Sequence, residues 1–469
     1  MPEKTRKVER IAPLTIAKKL AFASIFANTP LSGWLSGPRM RLIYNLLFTI
    51  LFVLSSPYYF LKMWRRGNWR LGFGQRFGLF SADLQARLNG RPVLWLHAVS
   101  VGEVGICAQL IQLLAPRLPD CQLLVSTTTT TGMGELQKKL PDNVIKIYYP
   151  ADFWWGVRRA LAVIKPRAII LVEAEFWPNL LWQALDRKIP LFLVNARVSD
   201  RSFKGYKRAG FLFRSIFARF RAAGCQDADD AARLEQLGFQ KRAIHLVGNL
   251  KFDLCVPPDR IGVAAMLNQL GVHKDARVLV CGSTHDGEEA ILGAMFLRLR
   301  QTYPDLFLIM VPRHFERAKE VSDDLERCKL QFARRTEITP ETRFAPGQVN
   351  CLLVDSTGEL VFFYRHATVV FVGKSLTAKG GQNPIEAAAL GKAVVFGPNM
   401  QNFRTVARAL VRANGAVQVA NSEDLEKTIS SLLENAARRS ELGANAMRFV
   451  QQSSGATART IDFLVAEGV

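Results

Sequence analysis

Paired cysteines are missing from this chain. Its seven cysteines (Cys107, Cys121, Cys225, Cys255, Cys281, Cys328 and Cys351) are scattered, and no two form a CxxC pair. That spacing speaks against a zinc site and against a disulfide framework, and it suits a reducing cytoplasm. Acidic residues are scarce: 40 Asp and Glu face 62 Lys and Arg, a formal net charge of +22. No zinc finger, RNP motif or arginine-rich repeat accompanies that excess, so no nucleic acid is expected as a partner. Internal sequence repeats are absent. With 22% charged and 49% hydrophobic residues, the composition is that of a globular protein with little disorder. At 469 residues the chain is too long for one ordinary core, and two domains are expected.

The charge is unevenly spread. The first 80 residues hold thirteen Lys and Arg against Glu3 and Glu9, a net +11 and half of the total excess. Within that region Leu42 to Leu61 (LIYNLLFTILFVLSSPYYFL) runs for twenty residues without a charge, the length a bilayer core requires. Tyr58, Tyr59 and Trp64 gather at one end, with Lys62, Arg65 and Arg66 beyond them, as at a lipid–water interface. No small-residue cleavage site follows, and cationic clusters at both ends do not suit a core helix. A membrane anchor is expected over residues 40–66, with the remaining chain on the cytoplasmic face of the membrane. Pro57 and Asn45 leave open whether it spans or lies in the interface. Residues 1–39 form a basic extension without a motif, and we expect it to be dispensable for chemistry.

Beyond the anchor, short apolar runs alternate with helical patterns: Val93 to Leu96, Gln122 to Val125, Val144 to Tyr149, Ala168 to Val172 and Leu191 to Val194. Continuous apolar strands between helices imply a parallel sheet covered on both faces. The prolines and polar residues at 255–260 mark a linker, after which the rhythm restarts at Val278 to Cys281, Leu306 to Val311, Val349 to Val354, Thr368 to Val372, Ala393 to Phe396 and Ala416 to Val419. The expected organisation is α/β: two doubly wound Rossmann-like domains, 67–254 and 261–452, facing a cleft. The tail 453–469 is expected to pack back toward the first domain.

Polar motifs cluster just past the strands, where open α/β sheets bind ligands. The densest is Gly373 to Pro398, GKSLTAKGGQNPIEAAALGKAVVFGP. It reads as a strand end, a loop in which Gly380 and Gly381 let the backbone approach a ligand, and a helix opened by Asn383-Pro384. Unpaired N–H groups at such a helix start favour a phosphate, and Glu386 in the first turn can accept hydroxyl hydrogen bonds. In the second half Ser283 follows the first strand. At the end of the next strand Arg313 can answer a phosphate, while a backbone group near Pro312 can read a base edge. In the first half, His97 to Glu103 joins the first strand to a helix and sets a carboxylate at the helix start. Glu103 there can act as general base on a hydroxyl, and an acid at that position also simply compensates the helix dipole. Asp355 to Leu360 reads as a capping box.

The strings RLIYNLL, QRFG, LHAVSVGE, EAEFWPNL, NARVSDRS, GNLKFD, GSTHDGEE, VPRH, DSTGEL and GGQNPIEAAALGKAVVFGP, in this order, resemble the 3-deoxy-D-manno-octulosonic acid (Kdo) transferases of lipopolysaccharide synthesis. The resemblance implies a GT-B fold, CMP-Kdo as donor, and the tetraacyl disaccharide precursor of lipid A as acceptor at the cytoplasmic face of the inner membrane. It implies inversion at the anomeric carbon, no metal and no other cofactor. By the same resemblance Glu103 is the general base. Ser283, Pro312, Arg313, Gly380, Gly381, Asn383 and Glu386 hold the donor, with Glu175 and Lys251 as weaker candidates. The extension before Met40 and Gln382, where some relatives carry His, depart from the pattern. Two other readings stay open: a transferase using a different nucleotide-sugar on a lipid acceptor, and an inactive membrane-tethered nucleotide-binding protein.

Overall fold

The computed structural model describes residues 38–65, 70–88, 90–173, 175–253 and 258–469. The basic extension up to residue 37 and residues 255–257 of the expected linker lie outside them. The chain divides into two compact units: one runs to Leu250 and adds Gly455–Val469, the other is Lys251–Ser454.

In the first unit, seven strands form one sheet: β1 (Val93–His97), β2 (Gln122–Thr127), β3 (Ile145–Tyr148), β4 (Pro166–Val172), β5 (Leu191–Ala196), β6 (Ala222–Cys225) and β7 (Ile244–Leu246). Their order is β3-β2-β1-β4-β5-β6-β7 and every pairing is parallel. Strand β1 shows why both faces must be covered. Val93 and Trp95 enter one buried cluster while Leu94 and Leu96 enter another, as the two-residue period of a strand requires. The order reverses between β1 and β4, so the loops after these two strands flank the switch point where ligands bind in such sheets. The last helix, Ala456–Ala466, adds Ile461 and Leu464 to the cluster of Leu94 and Leu96, and Arg459 Nε donates to the Val247 carbonyl at 2.8 Å.

The second unit repeats the plan with β8 (Val278–Thr284), β9 (Phe307–Pro312), β10 (Phe332–Arg334), β11 (Cys351–Leu353), β12 (Val369–Val372), β13 (Ala393–Phe396) and β14 (Ala416–Gln418). The order is β10-β11-β9-β8-β12-β13-β14, again all parallel, with the reversal between β8 and β12. Val278 and Val280 face one cluster, Leu279 and Cys281 the other.

A 28-residue helix, Pro38–Arg65, precedes the first sheet. Its stretch Arg39–Leu61 is long and apolar enough to cross a membrane by length and composition. Pro57 lies inside the helix without ending it. Proline removes the N–H that would bond the carbonyl four residues back, and here the Ser56 hydroxyl donates to that Val53 carbonyl at 2.9 Å. The first half of the helix packs against its own domain. Met40 and Tyr44 are buried in the cluster that contains Trp182, and Phe48 and Phe52 pack edge-on against Phe153 at 5.1 and 4.8 Å. Leu42, Leu46, Val53 and Leu54 remain exposed, an apolar face that the fold leaves uncovered.

Candidate active site

Glu103 stands in the first turn of the helix Val101–Arg117, directly after β1. Ser100 is the N-cap, its hydroxyl oxygen accepting the Glu103 N–H at 3.2 Å. The Glu103 carboxylate returns the contact: Oε1 accepts the Ser100 hydroxyl at 2.8 Å and Oε2 accepts the Val99 N–H at 2.7 Å. The reciprocal contact is like a capping box shifted by one residue, since the carboxylate takes the N–H before the N-cap, and the first turn is thus ordered by the same carboxyl proposed for chemistry. The group is buried, and burial pushes its pKa up to about 8. The Glu173 charge beyond β4 adds to the rise, the Val99 N–H and Ser100 hydroxyl oppose it, and Glu175 contributes weakly in the upward direction. A carboxyl needed only to offset a helix dipole gains nothing from burial beside another acid. Such an environment makes a carboxyl that titrates just above neutrality and that can accept a proton in its ionised form. Glu175, half-buried after β4, therefore belongs to this acidic switch-point cluster. Glu173 is held at φ +63°, which turns the chain sharply as it leaves the strand.

The donor candidates all belong to the second unit, and most meet at the C-terminal ends of β8, β9 and β12. Thr284 is in register with Pro312, and the Arg313 N–H donates to the Thr284 carbonyl at 3.0 Å, which ties Ser283, Pro312 and Arg313 into one edge. Arg313 is exposed, and no carboxylate among the described residues pairs with it. Gly373 abuts Ser283, since a Cβ there would fall 2.6 Å from the Ser283 carbonyl oxygen. Glu386 reaches the same region: its charge acts on the buried Tyr364 hydroxyl, whose pKa is raised first by burial. A Cβ on Gly282 would fall 2.1 Å from that hydroxyl. Asn383 accepts the Ile385 N–H at 3.1 Å.

One expectation for this loop needs correction. The helix that follows is Ile385–Ala389, only five residues, with Pro384 as its N-cap. It is halted at Leu390-Gly391, where Gly391 takes φ +66°. So short a helix sums few peptide dipoles, and phosphate attraction has to come from individual N–H groups and Arg313. The glycine pair has a reason inside the protein: a Cβ on Gly381 would fall 2.6 Å from Met400 Sδ and 2.9 Å from the Asn399 carbonyl oxygen. The expected capping box at Asp355 to Leu360 is also absent, because Glu359 is itself the N-cap of Leu360–Arg365 and accepts the Ser356 hydroxyl on its side chain.

Lys251 falls in the second unit, its Nζ 5.8 Å from the Phe403 ring centroid. Phe403 closes the turn Gln401–Phe403, whose Gln401 side chain accepts the Gly380 N–H at 2.7 Å and whose Asn402 N–H donates to the Gly380 carbonyl at 2.7 Å. Lys251 is thus a neighbour of the glycine loop. Sequence reasoning assigned no role to Glu288 and Glu289, both fully buried in the first turn of Glu288–Thr302. Glu289 pairs with buried Arg317 at 2.7 Å and accepts the Thr284 hydroxyl at 3.0 Å, bracing β8 against the segment after β9. The adjacent acids in GSTHDGEE were the available signal, but Arg317 and the 374–376 N–H groups that they meet lie far away in the chain.

Residues 71–254 match the sequence family described as 3-Deoxy-D-manno-octulosonic-acid transferase (kdotransferase), and residues 341–449 match Glycosyl transferases group 1. A 3-deoxy-D-manno-octulosonic acid transferase of Haemophilus influenzae is 31% identical over 399 residues, covering 85% of this chain and 91% of that protein. Its counterpart from Bordetella pertussis is 34% identical over 426 residues, covering 87% and 96%. Among solved structures, a glycosyltransferase from Rickettsia africae aligns over 81% of this chain and 99% of its own, with a TM-score of 0.56 at 11% identity. A UDP-GlcNAc 2-epimerase from Neisseria meningitidis aligns over 80% and 100%, with a TM-score of 0.52 at 14% identity. At such identities the two structures speak for the fold alone: two parallel-sheet α/β domains of the GT-B kind.

Proposed function

Because this chain belongs to the 3-deoxy-D-manno-octulosonic acid transferase family of glycosyltransferases, we propose that it moves Kdo from CMP-Kdo to the tetraacyl disaccharide precursor of lipid A, with inversion at the anomeric carbon. The observation that carries the reading is Glu103, a buried carboxyl brought to about 8 at the switch point of the first sheet. In its ionised form Glu103 takes the proton of the acceptor hydroxyl as that oxygen bonds to the anomeric carbon. The bond from that carbon to the CMP phosphate oxygen breaks, and CMP leaves with the electron pair. Ser283, Pro312, Arg313, Gly380, Gly381, Asn383 and Glu386 hold the donor in this reading, with Lys251 beside them. Arg313 and backbone N–H groups answer the phosphate charge without a metal ion, as preorganised donors do in other phosphate sites. Glu175 acts through its charge on Glu103.

The acceptor carries acyl chains and resides in a bilayer. The exposed apolar face of Pro38–Arg65 supports attachment to the same surface, which confines enzyme and acceptor together; the cytoplasmic side of the inner membrane is the side this reading assigns. The test uses purified protein with the tetraacyl disaccharide and measures nucleotide release from CMP-Kdo and from UDP-sugars. Acceptor-dependent CMP release from CMP-Kdo alone is the expected result. Release from a UDP-sugar, or none from CMP-Kdo, contradicts the proposal.

A further inference from the structure

Glu288 is fully buried, and its carboxylate is surrounded by donors only. Oε2 accepts the N–H of His285 at 2.9 Å and that of Lys374 at 2.6 Å, and Oε1 accepts those of Ser375 at 2.8 Å and Leu376 at 2.9 Å. Three of these N–H groups are consecutive, and Lys374 takes φ +56°, so the backbone after β12 curls into an anion-binding nest. In a nucleotide-binding loop such a nest is a natural seat for phosphate. Here the protein's own carboxylate fills it. The neighbouring contacts extend the same anchoring: the Ser375 hydroxyl donates to the Val372 carbonyl at 2.6 Å and accepts the Gly397 N–H at 2.9 Å, and the Gly381 N–H donates to the Lys374 carbonyl at 2.9 Å. Glu288 thereby ties the helix start after β8, which follows Ser283, to the loop after β12, which carries Gly380, Gly381, Asn383 and Glu386.

We infer that Glu288 is a positioning residue of the donor site: by filling the Lys374–Leu376 nest it fixes the glycine loop and directs the donor phosphate to Arg313. The inference rests on the donor-site reading above and names a residue that touches no substrate. A carboxylate is needed because an amide offers one acceptor oxygen in place of two and turns an NH2 group toward N–H donors. Glu288→Gln therefore leaves about two of the four N–H groups unpaired, and an unmade buried hydrogen bond is costly.

The experiment reads hydrogen exchange and CMP binding on the full chain. In Glu288→Gln, without nucleotide, the amides of residues 374–376 are expected to exchange at least tenfold faster, while those of Val369–Val372 in β12 keep their protection. The dissociation constant for CMP and the KM for CMP-Kdo should rise at least tenfold, with the KM for the acceptor unchanged. Should Glu288→Gln fail to fold, Glu288→Asp retains the charge with a shorter reach and is read in the same way. Unchanged exchange at 374–376, or unchanged CMP affinity in a variant whose loop has loosened, overturns the inference. Failure of the wild-type protein to bind CMP at all also overturns it, and that result is recognisable because it removes the donor-site reading before any substitution is made.

Discussion

Replacing Asp152 with alanine should unfasten the long N-terminal helix from its domain. Asp152 is fully buried, and its carboxylate accepts the Tyr44 hydroxyl at 2.8 Å, the Asn179 N–H at 2.9 Å and the Leu180 N–H at 3.1 Å. The last two belong to the first turn of Pro178–Asp186, a helix whose N-cap Trp177 makes no capping hydrogen bond. Asp152 is therefore a cap supplied from elsewhere in the chain and also the buried tether of Tyr44. Alanine leaves three buried donors without a partner at about 1–3 kcal/mol each, and partial relaxation brings the expected loss to about 3–6 kcal/mol. Tyr44→Phe removes a single bond to a charged acceptor and should cost about 1.5–3 kcal/mol. Arg41 makes a bidentate pair with Asp186, but the two side chains are 39% and 43% exposed, so Arg41→Ala should cost only about 0.5–1 kcal/mol. At about 2–4 °C per kcal/mol for a domain of this size, Asp152→Ala lowers the melting temperature of the first unit by about 6–24 °C. Thermal unfolding in detergent, followed by near-ultraviolet circular dichroism, measures the order Asp152→Ala, then Tyr44→Phe, then Arg41→Ala. Melting of Asp152→Ala within 2–3 °C of wild type, on the order of an ordinary surface change, refutes the role given to this carboxylate.

Two further outcomes follow from the same reasoning. Glu289→Gln removes the buried partner of Arg317 and leaves it the half-exposed Glu320 at 3.1 Å, so the loss should stay below the roughly 3–5 kcal/mol of a wholly unpaired buried charge, at about 1.5–3 kcal/mol, visible as a fall in the denaturant midpoint with an unchanged slope. Leu46 and Leu54 are 61% and 73% exposed, so Leu46→Glu with Leu54→Glu should leave thermal stability unaltered and reduce co-sedimentation with anionic lipid vesicles at least tenfold, given about 1.5–3 kcal/mol for burying each leucine. Vesicle binding equal to wild type would remove this face from membrane attachment.

The two-sheet plan was legible because strands buried on both faces are written as unbroken apolar runs. Val93 to Leu96 and Ala393 to Phe396 need no partner to be recognised. The strands that escaped notice lack that signature. Strand β6 is Ala-Ala-Gly-Cys, whose small side chains carry little hydrophobic signal, and β7 and β10 are three-residue edge strands containing His245 and Arg334. Glu103 stood out because its position relative to β1 is local in sequence. Glu288 did not, since the N–H groups that define its role lie 86–88 residues further on. The short helix Ile385–Ala389 misled for a related reason: Asn383-Pro384 is a good start signal, but Gly391 ends the helix after five residues. Gly381 was legible as a position that excludes a side chain, but Met400, the neighbour that a Cβ there would meet, lies 19 residues further on.

Raising the Glu103 pKa has a consequence for stability as well as rate. Its folded value near 8 lies above the ordinary 4.5, so the folded state holds more protons between those values and loses stability as pH rises through that window. For catalysis the sign is opposite, because only the ionised carboxylate accepts a proton. The most direct measurement is the pH dependence of Kdo transfer by wild type and Glu103→Gln, with CMP binding measured in parallel. The account predicts a wild-type rate that climbs with pH to an inflection near 8, a loss of about 10² or more in Glu103→Gln without that inflection, and equal CMP affinity in both. Near-normal transfer by Glu103→Gln, or the same inflection in its profile, would contradict it.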